Sequence, residues 1–131
     1  MCKYKTNISN NTVYDNKLFF KADDTTIGAE LFSYDGTNVT STDIFPGSYT
    51  SGSTSYKNAS YPYFFTVFKD TLYFRARTSL GYELWAYDAS KGARIVKDLY
   101  PGTYTSGSNT YGNSSYPGNL TVFDNKLYFS A

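Results

Sequence analysis

The stretch TVFKDTLYFRA, residues 66–76, occurs three times in this chain with small changes. Residues 12–22 read TVYDNKLFFKA, and residues 121–131 read TVFDNKLYFSA. The last copy combines an apolar run, an Asp-Asn turn and a second run in which Leu127, Phe129 and Ala131 alternate with other residues. Alternation with a period of two is typical of a half-buried β-strand, and Asp-Asn suits a tight turn. The stretch therefore predicts a β-hairpin that is used three times.

The rest of the chain repeats in the same register. Glu30-Leu31 recurs as Glu83-Leu84, and DIFPGSYTSGS at 43–53 recurs as DLYPGTYTSGS at 98–108. A fixed period of this length is the signature of a tandem structural repeat. The predicted organisation has four parts: an N-terminal segment 1–11, repeat 1 at 12–65, repeat 2 at 66–120, and the opening hairpin of a third repeat at 121–131.

Within one period the pattern predicts four short antiparallel strands. After the hairpin, YELWAYD at 82–88 alternates again, and beyond the turn ASKGA the run RIVKDL at 94–99 supplies a fourth strand. The stretch 101–118 is rich in Gly, Ser, Thr, Tyr and Asn, so we expect a long surface loop there and at its counterpart in the first repeat. No helical periodicity of useful length occurs in the chain.

Composition favours an all-β protein and excludes several classes of function. Twenty per cent of the residues are aromatic, and aromatic side chains suit pleated, half-buried surfaces. The net charge of +1, with no run of Lys or Arg, argues against nucleic acid and anionic membranes as partners. The absence of histidine removes the commonest general base and every His-containing zinc site.

The single cysteine and the distribution of apolar residues bear on disulfide bonding, membrane insertion and secretion. Cys2 has no second cysteine to pair with, so it is a bystander or bonds to another chain. No run of 18 apolar residues exists, so no transmembrane helix is predicted. The segment MCKYKTNISN at 1–10 lacks the apolar core of a signal peptide, so secretion requires a leader outside this sequence.

The segment 81–131 resembles the ELWxxDGT repeat family. The name motif stands at 83–88 as ELWAYD and at 30–37 as ELFSYDGT, and a VKD–PG stretch with serines, NLT and LYFSA follow in the family's order. Two features depart from the family: Asp-Ala-Ser at 88–90 with a longer turn replaces DGT, and the loop after Pro-Gly is longer. The resemblance implies β-propeller-like blades of four antiparallel strands in large secreted or surface proteins, with no established catalytic residues.

The predicted fold class is therefore all-β, with tandem four-stranded blades that are incomplete in a single chain of this length. Each sheet carries apolar residues on both faces, for example Leu84 opposite Trp85, and needs a neighbour on each side. A propeller typically has about 4 to 8 blades. We expect copies of this chain, or adjoining repeats, to complete the array as a homo-oligomer or polymer.

Six Asn-x-Ser/Thr sequons are candidate sites of N-linked glycosylation in a secreted protein. They stand at Asn7, Asn10, Asn38, Asn58, Asn113 and Asn119. Chance is the alternative in a chain so rich in Asn, Ser and Thr, and repeat copying alone preserves the matched pairs.

Several carboxylates are candidate metal ligands or catalytic groups. Asp23-Asp24, Asp43 and Asp98 have neither EF-hand nor RTX-type spacing, so solvated turn carboxylates are the simpler interpretation. Glu30 with Asp35, and Glu83 with Asp88, could be a glycosidase carboxylate pair. Such a pair recurs in each repeat, which favours a structural device. We predict no catalytic residue, metal or cofactor.

Tyrosines recur at matched places in the glycine- and serine-rich stretches. They are Tyr49, Tyr56, Tyr61, Tyr104, Tyr111 and Tyr116. They either stack on sugars or on a neighbouring chain, or pin their own loop to the sheet. The leading hypothesis is a non-enzymatic secreted or cell-surface repeat glycoprotein with a structural role. The alternative is a carbohydrate- or protein-recognition module that uses these tyrosine-rich loops.

Overall fold

The computed structural model describes residues 10–131, in which every regular element is a β-strand. The first sheet is antiparallel and contains, in order, β1 (Asn11–Tyr14), β2 (Lys17–Asp24), β3 (Gly28–Tyr34) and β4 (Val39–Thr42). A two-stranded hairpin follows, made of β5 (Ser48–Ser51) and β6 (Thr54–Lys57). The second four-stranded sheet contains β7 (Tyr63–Phe68), β8 (Thr71–Thr78), β9 (Gly81–Asp88) and β10 (Gly92–Lys97). Two further hairpins are formed by β11 (Thr103–Ser106) with β12 (Asn109–Gly112), and by β13 (Gly118–Phe123) with β14 (Lys126–Ser130).

The predicted all-β class and the threefold hairpin are confirmed. In β1–β2 the turn consists of Asp15 and Asn16, which have φ angles of 48° and 56°. The other two turns, at 69–70 and 124–125, also have positive φ at both residues. Two central residues with positive φ define the turn whose twist matches that of paired strands, and after glycine it is Asn and Asp that tolerate this conformation best.

The prediction of a long structureless loop at 101–118 is wrong. Most of this stretch forms the β11–β12 hairpin, and its counterpart at 48–57 forms β5–β6. Gly107 and Gly52 open the two-residue turns with φ of 62° and 61°. The composition of this stretch does not reveal its strands. One Gly-Ser pair at the tip is enough to reverse the chain, and the Thr and Tyr residues around it suit strands.

The fourth strand of the second repeat also differs from its prediction. β10 begins at Gly92 and ends at Lys97, and the turn before it is shorter than expected, spanning 89–91. Its pairing with β9 shifts register between Ile95 and Lys97, which marks a β-bulge. Relative to the first repeat, one extra residue therefore lies on the turn side of Ala93 and one lies in the bulge.

The two four-stranded sheets pack face to face around a shared apolar core. Phe19 and Leu31 of the first sheet lie in one buried cluster with Leu72, Phe74 and Ala76 of the second. Burying one such large apolar side chain contributes about 1.5–3 kcal/mol, so this interface is a principal source of stability.

The opposite face of the first sheet is apolar as well. Phe20, Ala22 and Phe32 form a second buried cluster there, and the rings of Phe20 and Phe32 stack with centroids 6.0 Å apart. The predicted pattern of apolar residues on both faces of a sheet is thus present in the first repeat.

The opening strands of the three units lie beside one another. β7 contacts both β1 and β13. The Tyr14 hydroxyl donates to the carbonyl of Asp70 at 2.7 Å, and the Thr66 hydroxyl donates to the carbonyl of Leu120 at 3.4 Å. Each unit therefore lies against the next through its first hairpin.

The described residues form several small antiparallel sheets and no closed barrel or ring. β7 begins at Tyr63 and β13 at Gly118, three residues before the repeat boundaries drawn from the sequence, and those boundaries stay predictions. In the part of the chain from residue 10 onward, no helix is long and apolar enough to cross a membrane.

Candidate functional site

Glu30 forms a buried hydrogen-bonded site at the start of β3. Its side chain is fully buried. Oε2 accepts hydrogen bonds from the Ile44 backbone N–H at 3.0 Å and the Ser60 hydroxyl at 2.5 Å, and Oε1 accepts one from the Ser60 backbone N–H at 2.9 Å. Burial raises the pKa of Glu30 above its ordinary value, and the bonds from Ser60 and Ile44 oppose that rise.

Glu83 repeats this arrangement in β9. Oε2 accepts from the Leu99 backbone N–H at 3.0 Å and the Ser115 hydroxyl at 2.7 Å, while Oε1 accepts from the Ser115 backbone N–H at 3.0 Å. We call each carboxylate with its three donors a glutamate clasp. Both oxygens of each glutamate are used, as buried charge requires.

The clasp fastens the segment that leads from one unit to the next. In the first repeat, the backbone N–H groups of Ser60 and Tyr61 also donate to the carbonyl of Ala29, each at 3.1 Å. The carbonyl of Ser60 then accepts from the N–H of Arg77, at the end of β8, at 2.7 Å. Ser60 therefore bonds to both sheets, and Glu30 holds it in place.

A glycine beside each clasp allows the connecting segment to approach. A Cβ atom on Gly28 would lie 2.1 Å from the carbonyl oxygen of Asn58, and one on Gly81 would lie 1.9 Å from that of Asn113. Both glycines have positive φ, +87° and +91°. Sequence reasoning missed these positions, although the recurrence of Gly-x-Glu at 28–30 and 81–83 was the available signal.

Asp35 and Asp88, the aspartates of the two candidate carboxylate pairs, have structural roles of their own. Asp35 closes an exposed turn by accepting from the N–H groups of Thr37 and Asn38, which lower its pKa. Asp88 closes the corresponding turn, and its pKa falls to about 2 chiefly because the Ser90 hydroxyl bonds to it. The carboxylates of each repeat are thus divided between a buried clasp and an exposed turn.

The other candidate metal ligands do not converge. No group of three or more Asp, Glu, His or Cys side chains in the described range 10–131 is placed to hold a metal ion. Asp24 Oδ1 instead accepts from the backbone N–H of Thr26 at 2.6 Å, which caps a turn.

The two hairpins that replace the predicted loops each carry a stacked pair of tyrosines. Tyr49 faces Tyr56 across β5–β6, and Tyr104 faces Tyr111 across β11–β12. The ring centroids are 5.5 Å apart in both pairs, with interplanar angles of 23° and 29°. These four rings are 45–53% exposed, so they stabilise their own hairpins while leaving about half their surface free. We call β5–β6 and β11–β12 the tyrosine hairpins.

Tyr61 and Tyr116 follow the hairpins and have positive φ, 46° and 50°. Tyr116 stacks on Tyr82 at 5.3 Å. The guanidinium carbon of Arg75 lies 5.3 Å from the centroid of Tyr82 and 4.8 Å from that of Phe64, within cation–π range. Tyr116 is thus held in an aromatic and cationic cluster and remains exposed.

Two grooves flank the first tyrosine hairpin, and all six predicted tyrosines line one or both of them. The larger, of about 660 Å³, lies between the two tyrosine hairpins and is lined by Tyr49, Tyr104, Tyr111 and Tyr116. The smaller, of about 440 Å³, is lined by Tyr49, Tyr56 and Tyr61. The structure therefore brings together residues that were matched only by their place in the repeat.

The sequon asparagines differ in their surroundings. The side-chain Nδ2 of Asn58 donates to the carbonyl of Pro46 at 2.8 Å, and that of Asn113 donates to the carbonyl of Pro101 at 3.2 Å. Nδ2 of Asn119 donates to the Ser130 hydroxyl at 3.2 Å. Asn38 is exposed and Asn10 half-buried, while Asn7 lies outside the described residues.

Comparison with family models, with curated proteins and with solved structures gives no match to this chain. The resemblance to the ELWxxDGT repeat family therefore stays a prediction that rests on the motifs.

Proposed function

We propose that the chain is a non-catalytic repeat scaffold of a secreted or cell-surface glycoprotein. Its four-stranded sheets act as blades, and further repeats or copies of the chain continue the stack into a larger propeller or a filament. The observation that carries this proposal is the apolar packing of one sheet face on the next, with β1, β7 and β13 side by side. Edge strands of successive sheets that lie side by side are what a propeller or a stacked array requires.

The third hairpin offers a surface on which this stacking can continue. Phe129 is 37% exposed, whereas its counterparts Phe20 and Phe74 are 6% and 0% exposed within the complete sheets. Val122 pairs with Leu127 on the same face of this hairpin as Phe129, and it is 45% exposed. Exposed apolar side chains that share one face form a patch that is typical of an interaction surface.

The use of the carboxylates supports a structural role. In both repeats the same glutamate is buried and fully hydrogen-bonded, and the same aspartate closes a turn. A feature repeated once per unit serves the unit, whereas an active site is normally assembled once.

Native mass spectrometry together with electron-microscope imaging tests the scaffold proposal. We expect a defined small oligomer if the blades close into a ring, and an open ladder of masses with threads if they form a filament. Phe129→Lys should disperse either assembly, because it places a charge on the apolar patch. The control, Tyr100→Lys, changes a more exposed aromatic residue outside both grooves and should assemble normally. A wild-type protein that stays a single chain, or a Phe129→Lys variant that assembles unchanged, would contradict the proposal.

N-glycans belong to the same proposal. Asn10 and Asn38 are the better candidates, since Nδ2 of Asn58, Asn113 and Asn119 already donates a hydrogen bond within the protein. Intact glycopeptide mass spectrometry of the natural protein measures the occupancy of each sequon. Six unmodified sequons would remove the glycoprotein part and leave the scaffold part standing.

A second function, recognition of a ligand by the tyrosine hairpins, is favoured by one observation. All six matched tyrosines line two neighbouring grooves and keep much of their ring surface exposed. Rings that served only to pin a loop would be covered by the sheet beneath them. A scaffold that also displays binding grooves is compatible with both functions.

A further inference from the structure

We propose that the groove between the two tyrosine hairpins binds a neutral oligosaccharide. This inference rests on the recognition function proposed above, and it specifies the site and the ligand class. The groove is about 660 Å³ in volume, which falls within the range of roughly 300–1,000 Å³ found for small-molecule sites. It is large enough for a short chain of sugar rings.

The aromatic lining suits the apolar faces of sugars. A pyranose ring exposes a face of C–H groups, which packs on the flat face of a tyrosine while the phenol contributes a hydrogen bond. Tyr104 and Tyr111 are already stacked on each other before any ligand arrives, and Tyr116 is stacked on Tyr82. Rings that are fixed beforehand lose little conformational freedom on binding, which favours affinity.

The polar lining suits the hydroxyl groups of sugars. Side chains between the aromatic rings are chiefly amides and hydroxyls, among them Thr78, Ser79 and Asn109. Amides and hydroxyls both donate and accept hydrogen bonds, as sugar hydroxyls do. A proline-rich peptide, the other common ligand of aromatic grooves, offers carbonyl acceptors and few donors, so the acceptors of this lining would go unused.

Taken together, the two grooves have no net charge in their lining, which favours a neutral ligand that extends along both. Of the described residues that line this groove, Arg77 is the one with a charged side chain, and its guanidinium lies 6.0 Å over the ring of Phe45. The neighbouring groove carries Asp23, Asp24 and Lys57, so its charges give an anionic sugar no net attraction. A neutral chain that runs from one groove toward the next therefore meets no unfavourable charge.

A glycan array of neutral and acidic oligosaccharides, followed by calorimetric titration of the best ligand, tests the inference with the full chain. We expect neutral oligosaccharides to bind, and Tyr104→Ala to weaken binding at least about tenfold, which corresponds to about 1.4 kcal/mol. Tyr104→Phe should stay within about threefold of wild type because the ring stack remains. The matched control, Tyr100→Ala, removes an exposed tyrosine outside both grooves and should bind as wild type does.

Circular dichroism monitors the hairpin in each variant, and Ser79→Ala provides a second test. Ser79 lies in the turn between β8 and β9 and lines the groove without belonging to a tyrosine hairpin, so its loss leaves the stacked pair intact. We expect it to weaken binding severalfold.

Each contrary result has its own meaning. If neither Tyr104→Ala nor Ser79→Ala weakens glycan binding, the ligand does not bind in this groove. The recognition function itself would still stand. Binding of a proline-rich peptide in preference to all neutral glycans would overturn the ligand class. A protein that retains none of the array's neutral glycans would overturn the inference, whereas the scaffold proposal would be untouched.

Discussion

The two glutamate clasps make the same three hydrogen bonds in different surroundings. Ser60 is fully buried, while Ser115 is only half-buried, and Ile44 is buried where Leu99 is not. The reason lies in the neighbour that follows each clasp. The first connecting segment lies between two four-stranded sheets, whereas the second is followed by the two-stranded β13–β14 hairpin. The same sequence motif can therefore contribute different amounts to the free energy of unfolding, depending on how completely the next unit covers it.

The two repeats also differ in the turn between their second and third strands, and a second change compensates for this difference. The turn between β2 and β3 spans 25–27, but the turn between β8 and β9 spans only 79–80. At the end of the tyrosine hairpin, Lys57 of the first repeat is replaced by Gly112 in the second. A Cβ on Gly112 would lie 2.3 Å from the carbonyl carbon of Leu80, so the shorter turn is accommodated by a glycine opposite it.

The largest expected effect is the loss of a clasp. Glu30→Ala removes the acceptor of the Ile44 N–H and of the Ser60 hydroxyl in a buried site, while the Ser60 N–H keeps its bond to the Ala29 carbonyl. We expect this change to cost about 3–5 kcal/mol of unfolding free energy. Glu83→Ala should cost less, about 2–3 kcal/mol, because water can reach the half-buried Ser115. Denaturant unfolding of the two variants makes the comparison. Equal losses would show that burial by the next unit does not set the value of the clasp.

A somewhat smaller loss is expected at the glycine beside the clasp. Gly28→Ala places a Cβ 2.1 Å from the Asn58 carbonyl at a φ of +87°, so the connecting segment must move, at a cost of about 2–3 kcal/mol. Gly52→Ala is the matched control, since its φ is also positive but its Cβ would meet nothing within 4 Å. We expect about 1 kcal/mol there. Thermal unfolding curves of both variants measure the difference, and similar midpoints would refute the close-approach explanation.

Stability should depend on pH in opposite directions at the clasp and at the Asp88 turn. The pKa of Glu30 is raised in the folded protein. Its contribution to the free energy of unfolding is therefore fully present below its ordinary pKa of 4.5, and it is lost as pH rises through the raised pKa. The native pKa of Asp88 is lowered to about 2, so its contribution is present above 3.8 and is lost as pH falls toward 2.

Midpoints of thermal unfolding measured from pH 2 to pH 8 should therefore reach a maximum in mildly acidic solution. Glu30→Gln should flatten the decline toward neutral pH, and Asp88→Asn should flatten the decline toward pH 2. A Glu30→Gln variant that keeps the full decline toward neutral pH would assign that slope to other groups.

The smallest effect is expected where the repeats differ by one aromatic residue. Trp85 takes the place of Phe32, and its indole N–H is buried without a hydrogen-bond partner. Trp85→Phe removes that unsatisfied donor and some packing together, so we expect a change within about 1 kcal/mol in either direction. Trp85→Ala removes the same donor and far more packing, so it should cost about 3–5 kcal/mol. A large loss in Trp85→Phe would mean that the indole N–H has a partner in solution.

The sequence predicted the features that depend on neighbours along the chain. The threefold hairpin at 12–22, 66–76 and 121–131 follows from alternation and turn residues, and the sheets follow from the period. The β5–β6 and β11–β12 hairpins were missed because a cross-strand tyrosine pair outweighs a composition rich in turn formers. Residue propensities describe one position at a time, so they do not include the contact between two tyrosines on paired strands.

The clasps were predictable only in part. Recurrence of the glutamate in each repeat indicated a structural device, but its donors lie 14 and 30 residues away, where no local pattern marks them. The positions of the six tyrosines were predicted, yet their assembly along two grooves depends on where the hairpins lie against the sheets. Long-range geometry of this kind follows from packing and not from spacing.

The central claim is that the sheets of this protein stack through their apolar faces and continue onto further copies. Sedimentation equilibrium over a wide range of dilution tests it most directly. The account predicts a mass above that of the 14.7 kDa chain, which declines toward 14.7 kDa only as the protein is diluted. A folded particle of 14.7 kDa at every concentration, including the highest, would contradict it.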